Sequence, residues 1–62
     1  MGLIQIHDKY EGKHYINIEY IVQLYNDDIT QEVCVQLIDD TTIHTNESNI
    51  DALAERIFMY YN

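Results

Sequence analysis

The apolar residues of this chain change their period once. Up to residue 45 they recur at every second position, the spacing of a strand with one buried face. From residue 50 they fall at Ile50, Leu53, Ala54, Ile57, Phe58 and Tyr61, which is one stripe of a 3.6-residue helix. A chain of 62 residues forms one small domain at most, spanning 1–62. The two periods together predict the α+β class. The expected fold is a curved antiparallel β-meander of four to five strands, then one C-terminal α-helix packed on the sheet. A helix of about 13 residues is marginal in isolation, so its stripe must lie on the strands.

Residues 3–7 place Ile4 and Ile6 on one face and Gln5 and His7 on the other. The turn "KYEGK" follows, with Gly12 free to take positive φ. Residues 14–18 alternate again, with His14, Ile16 and Ile18 on one face, and pair with the first strand as a hairpin. Residues 17–19 bend the chain. Residues 20–25 then alternate Tyr20, Val22 and Leu24 against Ile21, Gln23 and Tyr25. "NDDITQ" is a polar reversal. Residues 32–38 are the most β-prone stretch, with Val33, Val35 and Leu37 sharing a face. Asp39-Asp40 opens a turn into a last strand over residues 41–45. Ser48 stands as helix N-cap, with Asp51 three residues on in a capping-box arrangement.

Charge narrows the possible partners. Three Lys and Arg oppose eleven Asp and Glu, for a net charge of −8. Affinity for nucleic acid rests on several cationic contacts with phosphates. Direct nucleic-acid binding is therefore not expected, and an anionic membrane would repel the chain. A protein with a basic surface, including one whose basic groove normally holds nucleic acid, would attract it. Cys34 is the single cysteine, so no internal disulfide forms. No run approaches the roughly 18 apolar residues of a membrane span. "MGLIQIHDKY" lacks the basic start and long apolar run of a secretory signal, and Ile6 occupies the position where myristoylation of Gly2 wants Ser or Thr. The expected location is a reducing cytoplasm.

The stretch "YINIEYIVQLYNDDITQEVCVQLIDDTTIHTNESNIDALAERI" resembles the FlbD-like family of flagellar and swarming-motility accessory proteins. Asn17 and Ile21 stand at that family's Asn-x-x-x-Ile positions. Val35, Leu37 and Asp39 match its Val-x-Leu-x-(Asn/Asp)-Gly block, and Glu47-Ser48 matches its Glu-Ser before the helix. Asp40 replaces the family's glycine, and the helix is acidic where the family's is rich in lysine. The resemblance implies a meander-plus-helix fold and a role as a structural adaptor. It implies no catalytic residue.

No catalytic, cofactor or metal site is expected. His7, His14 and His44 lack ligand spacing, and His7 and His14 meet across the first hairpin only in some registers. Cys34, between two valines, reads as a packed or interface thiol with no base beside it. Ser48 with His44 lacks the Gly-x-Ser-x-Gly elbow of a hydrolase. Asp27-Asp28 and Asp39-Asp40 read as turn formers rather than a calcium loop. The sharper idea concerns Glu47, Asp51 and Glu55. At i, i+4 and i+8 they would stand about 6 Å apart along one helix line, near the spacing of phosphates on a strand. With Asp27, Asp28, Asp39 and Asp40 nearby, they would imitate a nucleic acid. The chain also holds six tyrosines, more than so small a core accepts. Tyr25 and Tyr60 are candidates for an interface, and Ala52, Met59 and Tyr60 form a second, weaker apolar strip on the helix; an exposed tyrosine-rich patch would serve as a homodimer seam, with pairing through an open sheet edge as the other route to a dimer. The expected function is that of a small acidic non-enzymatic protein-binding domain, a phage-type inhibitor that occupies a basic nucleic-acid-binding groove. The alternative is an FlbD-like structural adaptor.

Overall fold

The computed structural model describes residues 2–61, with side chains through residue 59. The α+β order holds, with five strands followed by one helix. The strands form a two-stranded and a three-stranded antiparallel sheet rather than one continuous meander.

β1 (Leu3–Asp8) and β2 (Gly12–Asn17) pair from Leu3↔Asn17 to Asp8↔Gly12. Oδ1 of Asp8 accepts the N–H groups of Tyr10 and Glu11 at 2.7 and 3.0 Å, which shapes the loop between them. Gly12 closes that loop at φ +94°, a left-handed conformation that L-residues rarely adopt. The register sets His7 opposite Lys13 and His14 opposite Ile6. His7 and His14 therefore project to opposite faces of the hairpin and do not meet.

A 3-10 turn (Ile18–Tyr20) leads into the second sheet. Asn17 caps it, Oδ1 accepting from the Glu19 N–H at 2.9 Å, and the Ile18 N–H returns to the Gly2 carbonyl at 3.0 Å. β3 (Ile21–Asn26), β4 (Val33–Leu37) and β5 (Thr42–His44) follow in that spatial order. Ile21 pairs with Leu37, but Gln23 pairs with Gln36, so Val22 is an extra residue in a β-bulge. The bulge overturns the simple alternation expected over residues 20–25. Ile21 and Leu24 now both pack on the core, and Val22 faces out, 60% exposed. The β4–β5 turn puts Asp40 at φ +71°, the conformation glycine adopts most easily.

The two sheets meet where β5 passes the end of β1. Thr45 bridges Asp8, the Lys9 N–H donates to the His44 carbonyl at 2.8 Å, and the Asn46 N–H donates to the His7 carbonyl at 3.0 Å. β2 and β3 are left as the outer strands, each pairing on one side.

α1 (Ile50–Tyr61) lies against β1, β3 and the 3-10 turn. Its N-cap is Asn49 rather than Ser48. Oδ1 of Asn49 accepts the N–H groups of Asp51 and Ala52 at 2.9 and 3.3 Å. Leu53 and Ile57 enter the core and Ile50 packs at its margin. Ala54 and Phe58, expected on the buried stripe, are exposed. The sheets beneath are too small to cover a full-width stripe. The rest of the buried core is β-branched, with Ile4 and Ile6 from β1, Ile16 from β2, Ile18 from the 3-10 turn, Val33 and Val35 from β4 and Ile43 from β5, while β3 adds only the partly buried Ile21 and Leu24.

Candidate partner-binding surface

The acidic residues are not gathered in one place. Asp27 and Asp28 occupy the β3–β4 loop, and Asp39 and Asp40 the β4–β5 turn. The five residues of β4 separate these pairs, about 16 Å of strand, so the two turns lie at opposite ends of the sheet. Two of the four carboxylates also have local work. Oδ1 of Asp27 accepts the N–H groups of Ile29 and Thr30 at 2.8 and 3.0 Å. Those bonds, Thr30's first, hold its carboxyl below the usual range. The Thr41 hydroxyl and the Thr41 N–H (3.0 Å) do the same for Asp39.

The predicted line Glu47–Asp51–Glu55 is also shorter than expected. Glu47 precedes α1 and is half-buried. Its Oε2 accepts from Nη1 of Arg56 at 2.9 Å, while Nη2 of Arg56 donates to the Gln5 carbonyl at 3.0 Å. The arginine thus ties the segment before the helix to β1 and neutralises Glu47. Asp51 and Glu55 stay exposed, one turn apart on the helix. Ala52 and Met59 of the weaker strip are exposed as well. The side chain of Tyr60 lies outside the described residues.

An apolar groove runs between β3 and α1. Ile21, Leu24 and Ile57 lie along it with Val22, Ala54 and Phe58, and Phe58 is 66% exposed. Asp51 precedes Ala54 by three positions and Glu55 precedes Phe58 by three. Each carboxylate therefore neighbours one of these groove residues on the helix surface. Among the described residues β3 pairs with β4 alone. Such an edge is normally guarded by lysine or proline. β2, the other outer strand, carries Lys13, whereas β3, "IVQLYN", carries neither. The bulge at Val22 is a guarding device of another kind.

The opposite face of the three-stranded sheet carries a different group. Tyr25 pairs with Cys34 and Cys34 with His44, so these three side chains form one row across β3, β4 and β5. Nδ1 of His44 stands 3.6 Å from Sγ of Cys34 and 3.4 Å from Oε1 of Glu32. Lys9 forms an ion pair with Oε2 of Glu32. The expectation that Cys34 has no base beside it is thereby corrected. A hairpin turning at Asp39 pairs positions equidistant from it, and that symmetry about residue 39 was the signal for Cys34 and His44. Burial pushes the Cys34 thiol up and Asp27 adds to the rise, against hydrogen bonding from Tyr25 and the charge of Lys9. Both Cys34 and Glu32 reach the same ring nitrogen of His44. A nucleophile–base–carboxylate relay needs two different ring nitrogens, so this trio is not assembled for acyl transfer.

Among known proteins, no family model, no curated protein and no solved structure matches this chain.

Proposed function

We propose that this domain binds another protein, taking an extended, basic segment of it along the open edge of β3. The observation that carries the reading is the conjunction of an edge without lysine or proline and the apolar groove beside it. An added strand would satisfy the outer backbone groups of β3. An apolar side chain from it would enter the groove near Phe58. Asp51 and Glu55 on one side, and Asp27 and Asp28 at the end of the strand, favour Lys or Arg in the incoming segment. Two copies of a chain with net charge −8 repel each other, which favours a basic partner over self-association.

This mode of binding suits the structural adaptor that the FlbD-like resemblance implies. It also keeps the acidic selectivity of the inhibitor reading. Full imitation of a nucleic-acid strand needs a longer line of charge than Asp51 and Glu55 supply. Binding rather than catalysis is the activity, supported by the single-nitrogen geometry at His44 and the buried, protonated thiol.

The test is an array of short synthetic peptides that combine Lys or Arg with one large apolar residue, read by fluorescence anisotropy. Phe58→Lys should weaken the tightest peptide by at least tenfold, about 1.4 kcal/mol. Asp51→Lys with Glu55→Lys should chiefly slow association and flatten its salt dependence. Equal binding by wild type and Phe58→Lys would refute the groove.

A further inference from the structure

We propose that Glu32, Cys34 and His44 form a binding site for a divalent transition metal of the zinc class. This site is independent of the β3 edge, because it lies on the outer face of the sheet and draws its ligands from β4, β5 and the residue before β4.

A carboxylate oxygen of Glu32, Sγ of Cys34 and a ring nitrogen of His44 all lie within 4.8 Å of one another. A zinc ion binds sulfur at about 2.3 Å and nitrogen or oxygen at about 2.0–2.2 Å in tetrahedral array, so its ligands are separated by about 3.6 Å (S to N) and about 3.3 Å (N to O). The observed separations are 3.6 Å and 3.4 Å. The two edges that meet at Nδ1 of His44 thus already have the lengths of a coordination tetrahedron, and the sulfur lies within 4.8 Å of a Glu32 oxygen.

A thiolate, an imidazole and a carboxylate suit zinc or cobalt, whereas magnesium and calcium want oxygen alone. Three protein ligands leave a fourth position for water or an incoming donor. His44 and Glu32 are half-buried and within reach of solvent, while Cys34 is fully buried.

The surroundings hold each ligand in place, as outer-shell partners do in metal sites. Lys9 engages the second oxygen of Glu32 and so leaves Oε1 for a monodentate bond. The Tyr10 ring meets the His44 ring edge-on at 5.8 Å. The Lys9 N–H fixes the His44 carbonyl, and Tyr25 stands beside Cys34 in the β3–β4 register. On binding, the thiol proton leaves to solvent and the sulfur bonds the metal as thiolate, with no change of oxidation state.

A second cluster, Asp8, Glu11 and His14, makes the natural comparison. There the ligand set has no sulfur, and one Asp8 oxygen already accepts two backbone N–H groups.

The experiment is a titration of reduced, chelator-treated protein with Co2+, followed by optical absorption. The expected result is a thiolate-to-cobalt charge-transfer band in the near ultraviolet, with visible ligand-field bands, saturating at one ion per chain and displaced by Zn2+. Glu32→Gln and His44→Gln, both at partly exposed positions, should weaken binding by at least about 10-fold, a loss that outer-shell changes alone can bring. Cys34→Ser should abolish the charge-transfer band. His14→Gln should leave the titration unchanged. Absence of the charge-transfer band at one equivalent would overturn the proposal. So would a titration that His44→Gln leaves intact, or one that His14→Gln impairs equally. If Cys34→Ser does not fold, the Glu32 and His44 variants decide the matter alone.

Discussion

Single side chains here serve turns more than surfaces. Asp8 is the clearest case, since its carboxylate is nearly buried yet organises the β1–β2 loop. Burial raises its pKa, but the N–H groups of Tyr10 and Glu11, with His14 and His44 nearby, outweigh that and hold it below the ordinary 3.8. A carboxyl lowered by folding stabilises the fold above its unfolded value. That contribution is complete above about pH 4 and is lost as pH falls through the lower folded value. Urea denaturation at pH 7 and pH 3 should show a larger loss in wild type than in Asp8→Asn. The variant keeps an oxygen for the two N–H groups but has no carboxyl to titrate. An unchanged loss would assign the acid sensitivity elsewhere, with Asp27 and Asp39 next in line.

At the scale of elements, two devices decide how the parts fit. The bulge at Val22 turns Ile21 and Leu24 inward together and leaves Val22 at the rim of the groove. The cap at Asn49 sets where α1 begins, and so places Glu47 outside it. A side chain that caps two N–H groups is worth about 1 kcal/mol over alanine. Asn49→Ala should lower stability by about that amount, whereas Ser48→Ala should stay within about 0.5 kcal/mol, as surface changes usually do. Thermal melts of the two variants make the comparison. Equal losses would mean that Ser48 shares the cap.

At the scale of the whole molecule, neither sheet has a core of its own. A two-stranded hairpin is marginal in water, and a core in a chain this short rarely supplies more than about 3–5 kcal/mol. Leu53 is fully buried and α1 touches both sheets, so the helix joins two weak units into one. Leu53→Ala should cost about 3 kcal/mol and bring the domain to the verge of unfolding. β1–β2 and β3–β5 should melt in a single transition. Amide exchange that leaves either sheet protected after the other is lost would show them to be separate units.

The sequence by itself determined the class of fold, the order of elements and the central apolar pattern. The change of period near residue 48 is a local property that backbone geometry reads directly. Ile4, Ile6, Val33, Val35, Leu53 and Ile57 are buried for that reason. It also placed Asp27, Asp39 and Gly12 in turns, because their chemistry acts over two or three residues. Only the tertiary structure decided the rest. The bulge at Val22 depends on how β3 registers with β4. The pairing of Glu47 with Arg56 depends on how α1 lies on β1. The row of Tyr25, Cys34 and His44, with Glu32 and Lys9 beside it, needs three strands in register and the end of β1 brought against β5. Each joins residues distant along the chain, and backbone pairing rather than local preference sets which side chains meet.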